Sequence, residues 1–441
     1  MTAADGQLVS LGPWPKGVNN VAKEYKVPAD QLRGATNVDL DDEGWPQRRD
    51  GFDPVISATN AHSLWSHHKR MPFALYVDSG ELKAFDSSLR VTNLRSGMND
   101  TLPVAYDFAN ESAYFCNGQT TGRVNASMQL RPWGIESPAG EPLLSVNATV
   151  GGLDAGDYQV AQSFVSDEGE EGGCGIATKI TVAQGGGIQL ADMPQPINSH
   201  VQWIRLWITK TNGDILYWHS DVPVGTTSYL LGVGQLGKQI ETQFLEPMPA
   251  GTIARSFNAR IYVAVGPRLY YSESYRLGLH NPTKYMLFPS DITMVQTCRG
   301  ADIGGLYVSA GSTVYWLGGS EPINADGSAG FHRVSAYSSG VVPGSDTRVA
   351  GPDLGIDGVT DDAPVWLCQN GVFCAGLTDG NVSPISQDRL RLPAFARGAA
   401  IFRQRPSTRQ VLFNLRGMGD GSSAAATDSV VATVMRNGCV V

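Results

Sequence analysis

The chain has 441 residues, with 33 basic and 42 acidic side chains and a formal net charge of −9. Glycine (51 residues) and proline (25) are abundant and only 17% of residues are charged, a composition that excludes a disordered chain, a coiled coil or a long helical bundle. The length predicts two or three domains or one large β-propeller, and the acidic charge has the wrong sign for a protein that wraps nucleic acid.

The N-terminal residues carry no targeting signal. A basic segment followed by an apolar run is missing there, and no later segment approaches the ~18 uninterrupted apolar residues of a membrane span. We therefore expect a protein that is made in the cytoplasm and has no membrane anchor. The six cysteines are then expected to be free thiols, mostly buried.

The first predicted element is a hairpin in which residues 42–44 turn strand 36–40 back into strand 45–49. Its acidic residues also fit the first positions of a calcium loop. However, Pro46 lies inside the loop, position 12 is Asp50 instead of glutamate, and neither flank is helical. The hairpin is therefore favoured over a metal site, and Arg48 and Arg49 are expected beside Asp39 across it.

One motif recurs along the chain, namely two short strands around a tight turn with an aromatic residue near the centre. It occurs at residues 73–85, 112–118, 260–271, 305–316, 366–374 and 400–413. Equivalent tyrosines are about 40 to 45 residues apart, which is the length of a propeller blade. The sequence therefore predicts an all-β fold with β-propeller-like repeats, about five to seven blades in number.

Residues 145–232 interrupt this spacing and are predicted to form an inserted sandwich of the immunoglobulin or fibronectin III type. Turn signals recur there every ~8–12 residues, as in such modules. Its core is expected to contain Tyr158, Val160, Trp203, Leu206 and Trp218. The predicted domains are thus 1–144 (first blades), 145–232 (insert) and 233–441 (remaining blades).

The hairpin at 366–374 contains the only two neighbouring cysteines. With Asn370 and Gly371 as a two-residue turn, Cys368 pairs with Phe373 and Leu367 pairs with Cys374. This register keeps the two sulfur atoms from lying opposite each other.

A basic stretch stands out near the C-terminus. Between 389 and 416 the chain has seven arginines, no lysine and no acidic residue: Arg389, Arg391, Arg397, Arg403, Arg405, Arg409 and Arg416. It is interpreted either as a solvated blade hairpin or as a docking surface for an acidic neighbour, because arginine pairs carboxylates bidentately. Nucleic-acid binding ranks third, since stacking aromatic residues are missing. The final residues, 428–441, are predicted to be a strand that pairs with 35–40 and closes the ring of blades.

No motif for catalysis, cofactor binding or a metal ion is found in the sequence. The adjacent pair His67 and His68 would point to opposite faces of a strand, and the acidic pair Asp361 and Asp362 is typical of a solvated turn. We therefore expect a protein that is not an enzyme and holds neither cofactor nor metal.

Residues 11–52 resemble the opening of tailed-phage virion proteins of the tail-nozzle type. The pattern "Gly-Val-Asn-Asn", "Ala-x-Asn-Val-Asp", a turn and "Arg-Arg-x-Gly-Phe" is carried by Asn19, Asn20, Asn37, Asp39, Gly44, Arg48, Arg49, Gly51 and Phe52. Asp50 stands where proline is frequent in that family. The resemblance implies a propeller-like ring, a hexamer, located in the virion tail below the portal and adaptor proteins, with phage DNA passing through its lumen without specific binding.

The resemblance makes the portal and adaptor the expected partners, with tail fibres or tailspikes as further ones. The alternative interpretation is a carbohydrate-binding or glycan-processing propeller, for which nine tryptophans offer stacking surfaces.

Overall fold

The computed structural model describes residues 12–36, 38–41, 43–48, 51, 53–67, 70–299, 304–324, 326–354, 356, 359, 361–405, 408–417, 430–435 and 439–440. Almost every regular element is a strand; a 3₁₀ turn at Glu24–Lys26 and one short helix, α1 (Gly351–Leu354), are the helical elements among these residues. None of the helices described there is long and apolar enough to cross a membrane. The all-β fold class is confirmed.

The chain divides into two compact units. One comprises residues 58–287, and the other comprises the described residues before 58 together with those from 288 onward. The second unit is therefore discontinuous in sequence, whereas the first is one uninterrupted segment.

The first ten strands pair with their neighbours in chain order. A small hairpin consists of β1 (Val38–Leu40) and β2 (Pro46–Arg48). The first blade, ordered sequentially, consists of β3 (His62–Ser66), β4 (Phe73–Asp78), β5 (Glu81–Asp86) and β6 (Val91–Ser96). The second consists of β7 (Ala105–Ala109), β8 (Ser112–Cys116), β9 (Thr121–Asn125) and β10 (Leu130–Arg131).

Two sheets stacked as a sandwich follow the second blade. The strands are β11 (Leu143–Asn147), β12 (Gly156–Ser166), β13 (Thr178–Val182), β14 (Gly187–Ala191), β15 (Val201–Thr209), β16 (Leu216–Pro223) and β17 (Tyr229–Leu231). They form a three-stranded sheet, β11-β14-β17, and a four-stranded sheet, β13-β12-β15-β16. When the seven strands of an immunoglobulin constant domain are numbered in chain order, its two sheets have the strand orders 1-2-5-4 and 3-6-7. In the same numbering, the two sheets here have the orders 3-2-5-6 and 1-4-7. The two-layer architecture is therefore present with a different strand order, and the immunoglobulin-like family of the insert stays a prediction.

The remaining strands build four-stranded meanders again, the first of them extended by a fifth strand. The third blade consists of β18 (Glu246–Pro247), β19 (Ile253–Phe257), β20 (Arg260–Val265), β21 (Arg268–Glu273) and β22 (Arg276–Leu287), and the fourth of β23 (Ile292–Cys298), β24 (Gly305–Ala310), β25 (Thr313–Gly318) and β26 (His332–Tyr337). The fifth blade consists of β27 (Thr347–Val349), β28 (Ala363–Leu367), β29 (Phe373–Gly376) and β30 (Val382–Pro384). The sixth consists of β31 (Phe395–Arg405), β32 (Thr408–Gly417), β33 (Val430–Met435) and β34 (Cys439–Val440). Each blade is an antiparallel meander, the repeating element of a β-propeller.

Consecutive blades within a unit pack face to face. Between the first and second blades, Leu75 and Val77 pack with Phe115 and Val124. In the discontinuous unit, the interface between the fifth and sixth blades contains Phe373 and Phe413, whose ring centroids are 4.6 Å apart. Alternate residues of β28 face the sixth blade on one side and the fourth blade on the other, which explains why this strand is buried along its whole length.

The sandwich core contains Tyr158, Val160 and Leu206 as predicted, but Trp203 does not belong to it. Ile204, Leu206 and Ile208 face the other sheet, so Trp203 lies on the opposite face of β15 and is 42% exposed. Trp218 is also outside this core: with the fully buried Trp207 it belongs to a cluster on the outer face that includes Ile240. The backbone of residues 237–240 hydrogen-bonds to Leu216 and Trp218, so the contacts of the sandwich continue past the predicted boundary at 232.

The cysteine hairpin differs by one position from the predicted register. Leu367 pairs with Phe373 and Trp366 with Cys374, because the loop has three residues and only its last, Gly371, has a positive φ (80°). As a result, the sulfur atoms of Cys368 and Cys374 are 3.5 Å apart and buried, and both cysteines are free thiols. The Cys368 side chain and burial both raise the pKa of Cys374.

The C-terminal strand completes its own blade. β33 pairs with β32 from Leu415 to Gln410, whereas β1 pairs with β2. The predicted pairing of 428–441 with 35–40 is therefore wrong, because the long hairpin β31–β32 offers a nearer open edge.

Candidate functional site

The arginine stretch occupies a loop and the hairpin β31–β32 of the sixth blade. Val411, Phe413 and Leu415 of β32 point inward to the blade interface. The opposite face of the hairpin carries Arg397, Ile401 and Arg403 on β31, with Arg416, Leu412 and Gln410 directly across on β32. Alternation along the strands thus places Arg397, Arg403 and Arg416 on one outward face.

Arg397 and Arg416 lie opposite each other and are both exposed. Neither forms an ion pair with any residue that the structure describes. Two like charges at directly opposed positions repel each other. Ile401, two pairs further along the same face, is 61% exposed. This end of the sheet therefore presents two positive charges that have no acidic partner in the described part of the chain, beside an exposed apolar side chain.

Arg403, in contrast, pairs within the chain, which corrects its prediction as part of an open docking surface. Its guanidinium nitrogen Nη2 is 3.1 Å from Oδ2 of Asp39 and also donates to the side chain of Gln410. Gln410 is buried, and the Arg403 side chain is only 18% exposed. The stretch itself has no acidic residue, but the fold supplies one from the N-terminal hairpin, 364 positions earlier in the chain.

The N-terminal segment is fastened to the arginine stretch by its two asparagines as well. Asn20 hydrogen-bonds through its backbone N–H to the Arg389 carbonyl, and its side chain bonds both backbone groups of Arg391. The buried Asn19 accepts two backbone N–H groups, at Val21 and Ala22, and thereby shapes the turn that brings Asn20 into position. The motif that carries the family resemblance therefore has a structural role here.

Gly44 lies at a close backbone approach within the same N-terminal segment. Its φ is +87°, its carbonyl accepts a hydrogen bond from the Trp14 N–H, and a Cβ atom at this position would lie 2.4 Å from the backbone nitrogen of Pro15. Only glycine combines this left-handed conformation with so close a backbone approach.

We expect Gly44→Ala to release residues 12–48 from the sixth blade. The conformational strain alone costs about 1–3 kcal/mol, and the clash with Pro15 adds to it. Hydrogen exchange measured by mass spectrometry should show faster exchange at Trp14 and Asn20. Gly51→Ala is the matched control, because no described atom lies within 4 Å of its added Cβ; equal exchange in both variants would contradict the role of Gly44.

The structure describes only some of the other residues that belong to the predicted motif and to the arginine stretch. Asn37, Arg49 and Phe52 lie outside the described residues, as do the side chains of Arg405 and Arg409. In the strand register, the exposed Arg48 is opposite Val38 and Asp39 is opposite Gln47. The Asp39 carboxylate also pairs with Arg403.

Asp41 of the calcium-like loop is engaged in the fold. Asp41 Oδ1 accepts the backbone N–H groups of Glu43 and Trp45, which is the hydrogen bonding of a turn. Among the residues with described positions, no group of three histidine, cysteine, aspartate or glutamate side chains is placed to hold a metal ion.

The acidic loop 166–171 has no partner assigned from the sequence, and the structure pairs it with two arginines of the second blade. Arg123 pairs with Glu168 and Glu170 at 2.7 and 3.0 Å, and Arg131 pairs with Asp167 at 2.8 Å. Both arginines belong to the second blade. Arg131 lowers the pKa of Asp167, whereas burial raises the pKa of Glu170. This loop thus attaches the sandwich to the blade that precedes it.

No protein-family profile and no curated protein matches the sequence. Solved structures with a similar arrangement include BBS1N in complex with ARL6DN (9% identity, 83% of this chain and 93% of that chain, TM-score 0.33) and the N-terminal domain of Nup159 (9%, 84% and 75%, TM-score 0.28). Another is PorZ of the type-IX secretion system of Porphyromonas gingivalis (12%, 86% and 59%, TM-score 0.24). At these identities and scores, the comparisons assign neither a family nor a function.

Proposed function

We propose that the chain is a structural protein of a tailed-phage virion, a tail-nozzle ring that docks on the portal and adaptor proteins and surrounds the path of the ejected DNA. The observation that carries the proposal is the resemblance of residues 11–52 to that family. Two features support it: the six propeller-like blades, and the engagement of Asn20 and Asp39 in holding the N-terminal segment on the last blade.

The charge distribution is consistent with a conduit. With a net charge of −9 per chain, a hexameric ring is strongly acidic, and an acidic lumen repels the DNA backbone so that the duplex does not adhere during ejection. Docking surfaces, in contrast, need complementary charge. Arg391, Arg397 and Arg416 are the described members of the arginine stretch that are exposed and lack an acidic partner among the described residues. We therefore assign these three to the contact with an acidic neighbour.

The test is the double variant Arg397→Glu/Arg416→Glu, supplied in cells to a phage that lacks its own copy of the gene. We expect the purified variant to have the circular dichroism spectrum of the parent but to be missing from purified particles. Each contact is worth only about 0–1 kcal/mol, but the ring repeats it in every subunit, so the losses add.

The matched control is Lys23→Glu/Arg299→Glu, which makes the same change in charge at exposed positions outside the stretch. It should be incorporated normally. Incorporation of the arginine variant at the control level would refute the docking assignment, and negative-stain images of the assembled wild-type protein without a ring would refute the nozzle function itself.

A further inference from the structure

Cys368 and Cys374 place two thiols beneath the turn of the β28–β29 hairpin in the fifth blade. Their sulfur atoms are 3.5 Å apart, and both residues are fully buried. Cys298 belongs to the same core cluster, but its thiol is directed at the Gly376 carbonyl oxygen, 3.8 Å away. The close approach of two sulfur atoms is thus specific to the pair in the hairpin.

The register of the hairpin brings the two side chains together. Trp366 pairs with Cys374, and the Cys368 N–H donates to the Val372 carbonyl at 2.9 Å. Cys368 and Cys374 are therefore one pair apart on the same face, and both side chains belong to the core cluster between the fourth and fifth blades. A disulfide has an S–S distance of about 2.05 Å, so the two sulfur atoms need to approach by about 1.5 Å.

The surroundings of the pair make its thiols slow to react and keep them within reach of a small reagent. The Cys368 side chain and burial raise the pKa of Cys374, so this sulfur is protonated at neutral pH. A thiol reacts through its thiolate, and oxidation is therefore slow. However, Gln369 and Asn370 at the tip of the loop are exposed, so Cys368 lies directly next to the surface in the chain. Local opening of this turn admits a small oxidant.

The turn above the thiols connects several parts of the discontinuous unit. The Gln369 N–H donates to the Gly340 carbonyl at 2.8 Å, in the segment that follows the fourth blade. On its other side, the Gly371 carbonyl accepts the Leu392 N–H at 3.0 Å. Leu392 directly follows the backbone groups that bind the side chain of Asn20. A covalent bond across the turn therefore restrains the place where two blades and the anchor of the N-terminal segment meet.

We propose that Cys368 and Cys374 are an oxidation site, at which hydrogen peroxide closes a disulfide that restrains this turn. One thiolate attacks a peroxide oxygen, the O–O bond breaks, and a sulfenic acid forms as hydroxide leaves. The second thiolate attacks the sulfenic sulfur, the S–S bond forms, and a second hydroxide leaves. Each hydroxide takes up the proton of one thiol. The two thiols are thus oxidised by two electrons, and one peroxide is reduced to two waters. The proposal does not depend on the tail-nozzle function.

The experiment treats the reduced full-length protein with hydrogen peroxide, alkylates the remaining thiols in denaturant with iodoacetamide and maps the tryptic peptides by mass spectrometry. Residues 349–389 form one tryptic peptide, which contains Cys368 and Cys374 and no other cysteine. We expect this peptide to lose two hydrogen atoms and to take up no alkyl group, and dithiothreitol to reverse both changes. The Tm should rise by at least about 2 °C in the bridged protein, because the bridge restrains the unfolded chain.

Cys298→Ala is the matched control, because it removes a buried thiol of the same cluster that is outside the pair. It should form the bridge as the parent does, whereas Cys368→Ala and Cys374→Ala should show no rise in Tm with peroxide. The peptide map of the parent needs no variant, so it decides the matter even where a substitution impairs folding.

Three results would overturn the proposal. In the first, both cysteines of the parent peptide are still alkylated at a peroxide dose that converts methionines elsewhere in the chain to sulfoxides. In the second, the bridge joins either cysteine to Cys298 or to another chain. In the third, the bridge between Cys368 and Cys374 forms but leaves the Tm unchanged.

Discussion

Replacement of Arg205 by methionine is expected to destabilise the sandwich by about 3–5 kcal/mol, because it leaves a buried carboxylate without its cation. Arg205 binds both oxygens of Asp221 at 2.8 Å and Glu171 at 2.9 Å. The Glu171 side chain is only 7% exposed and also accepts hydrogen bonds from Ser163 and Thr242. The cation therefore lies at the centre of a polar network on the outer face of the four-stranded sheet.

Urea unfolding followed by tryptophan fluorescence measures this loss, because the buried Trp207 donates its indole N–H to Ser163 in the same network. Lys179→Met is the matched control: its ion pair with Asp157 is exposed, and its loss should cost less than about 1 kcal/mol. Glu171→Gln combined with Arg205→Met should recover part of the stability. If Arg205→Met costs no more than Lys179→Met, the network does not hold the sandwich together.

Arg205→Met should also change how the free energy of unfolding depends on pH. Burial raises the pKa of Asp221, but the hydrogen bonds from Arg205 and Trp218 outweigh burial, so this pKa is lowered. Such a carboxylate stabilises the fold above its unfolded pKa of about 3.9, and the contribution is lost as the pH falls through the folded value. Without Arg205, this stabilisation of the charged form is missing. The deficit of Arg205→Met relative to the parent should therefore shrink as the pH falls below about 3.9 and through the lowered pKa of Asp221.

The second large effect is expected for Arg403→Glu, which places a carboxylate against Asp39 and the buried Gln410. Since a partly buried pair is replaced by two like charges, we expect a loss of about 3–5 kcal/mol and detachment of the N-terminal hairpin from the sixth blade. Limited proteolysis should then cleave within residues 12–48 much faster than in the parent. Urea unfolding gives the loss in free energy.

Arg397→Glu, on the same face of the same strand, is the control. It is exposed and has no described acidic partner, so its effect on stability should stay within about 0.5 kcal/mol. Asp39→Asn combined with Arg403→Gln removes both charges and should be more stable than Arg403→Glu alone. Equal stability of Arg403→Glu and Arg397→Glu would show that the ion pair does not hold the segment.

The blades could be predicted from the sequence because each is a local feature. Strand, turn and strand lie within about twenty residues, and the pattern of apolar alternation and turn residues is sufficient to find them. The hairpins around Tyr76, Tyr262 and Tyr307 were all predicted on this basis and lie in sheets. The predicted pairing register was wrong by one position where the turn type was ambiguous, as in the hairpin whose loop ends at Gly371.

The pairing of Arg403 with Asp39 could not be predicted, since nothing in a single sequence shows which distant residue approaches a cation. The assignment of Trp203 to the core failed for another reason: β15 is apolar on both faces, because a further segment covers its outer side, and alternation then does not tell which face is inward.

The division of the chain into an uninterrupted and a discontinuous unit sets an order of events during synthesis. Residues 58–287 form their unit from one uninterrupted segment, so we expect this unit to become compact while the ribosome is still translating the remainder. The N-terminal segment, in contrast, finds the Arg389 and Arg391 backbone and Arg403 only after some 350 further residues have been made, a delay on the order of tens of seconds at ~5–20 residues per second. During that interval Asn20 and the hairpin of Gly44 have no partner in the nascent chain, and this segment is where we would look for chaperone binding.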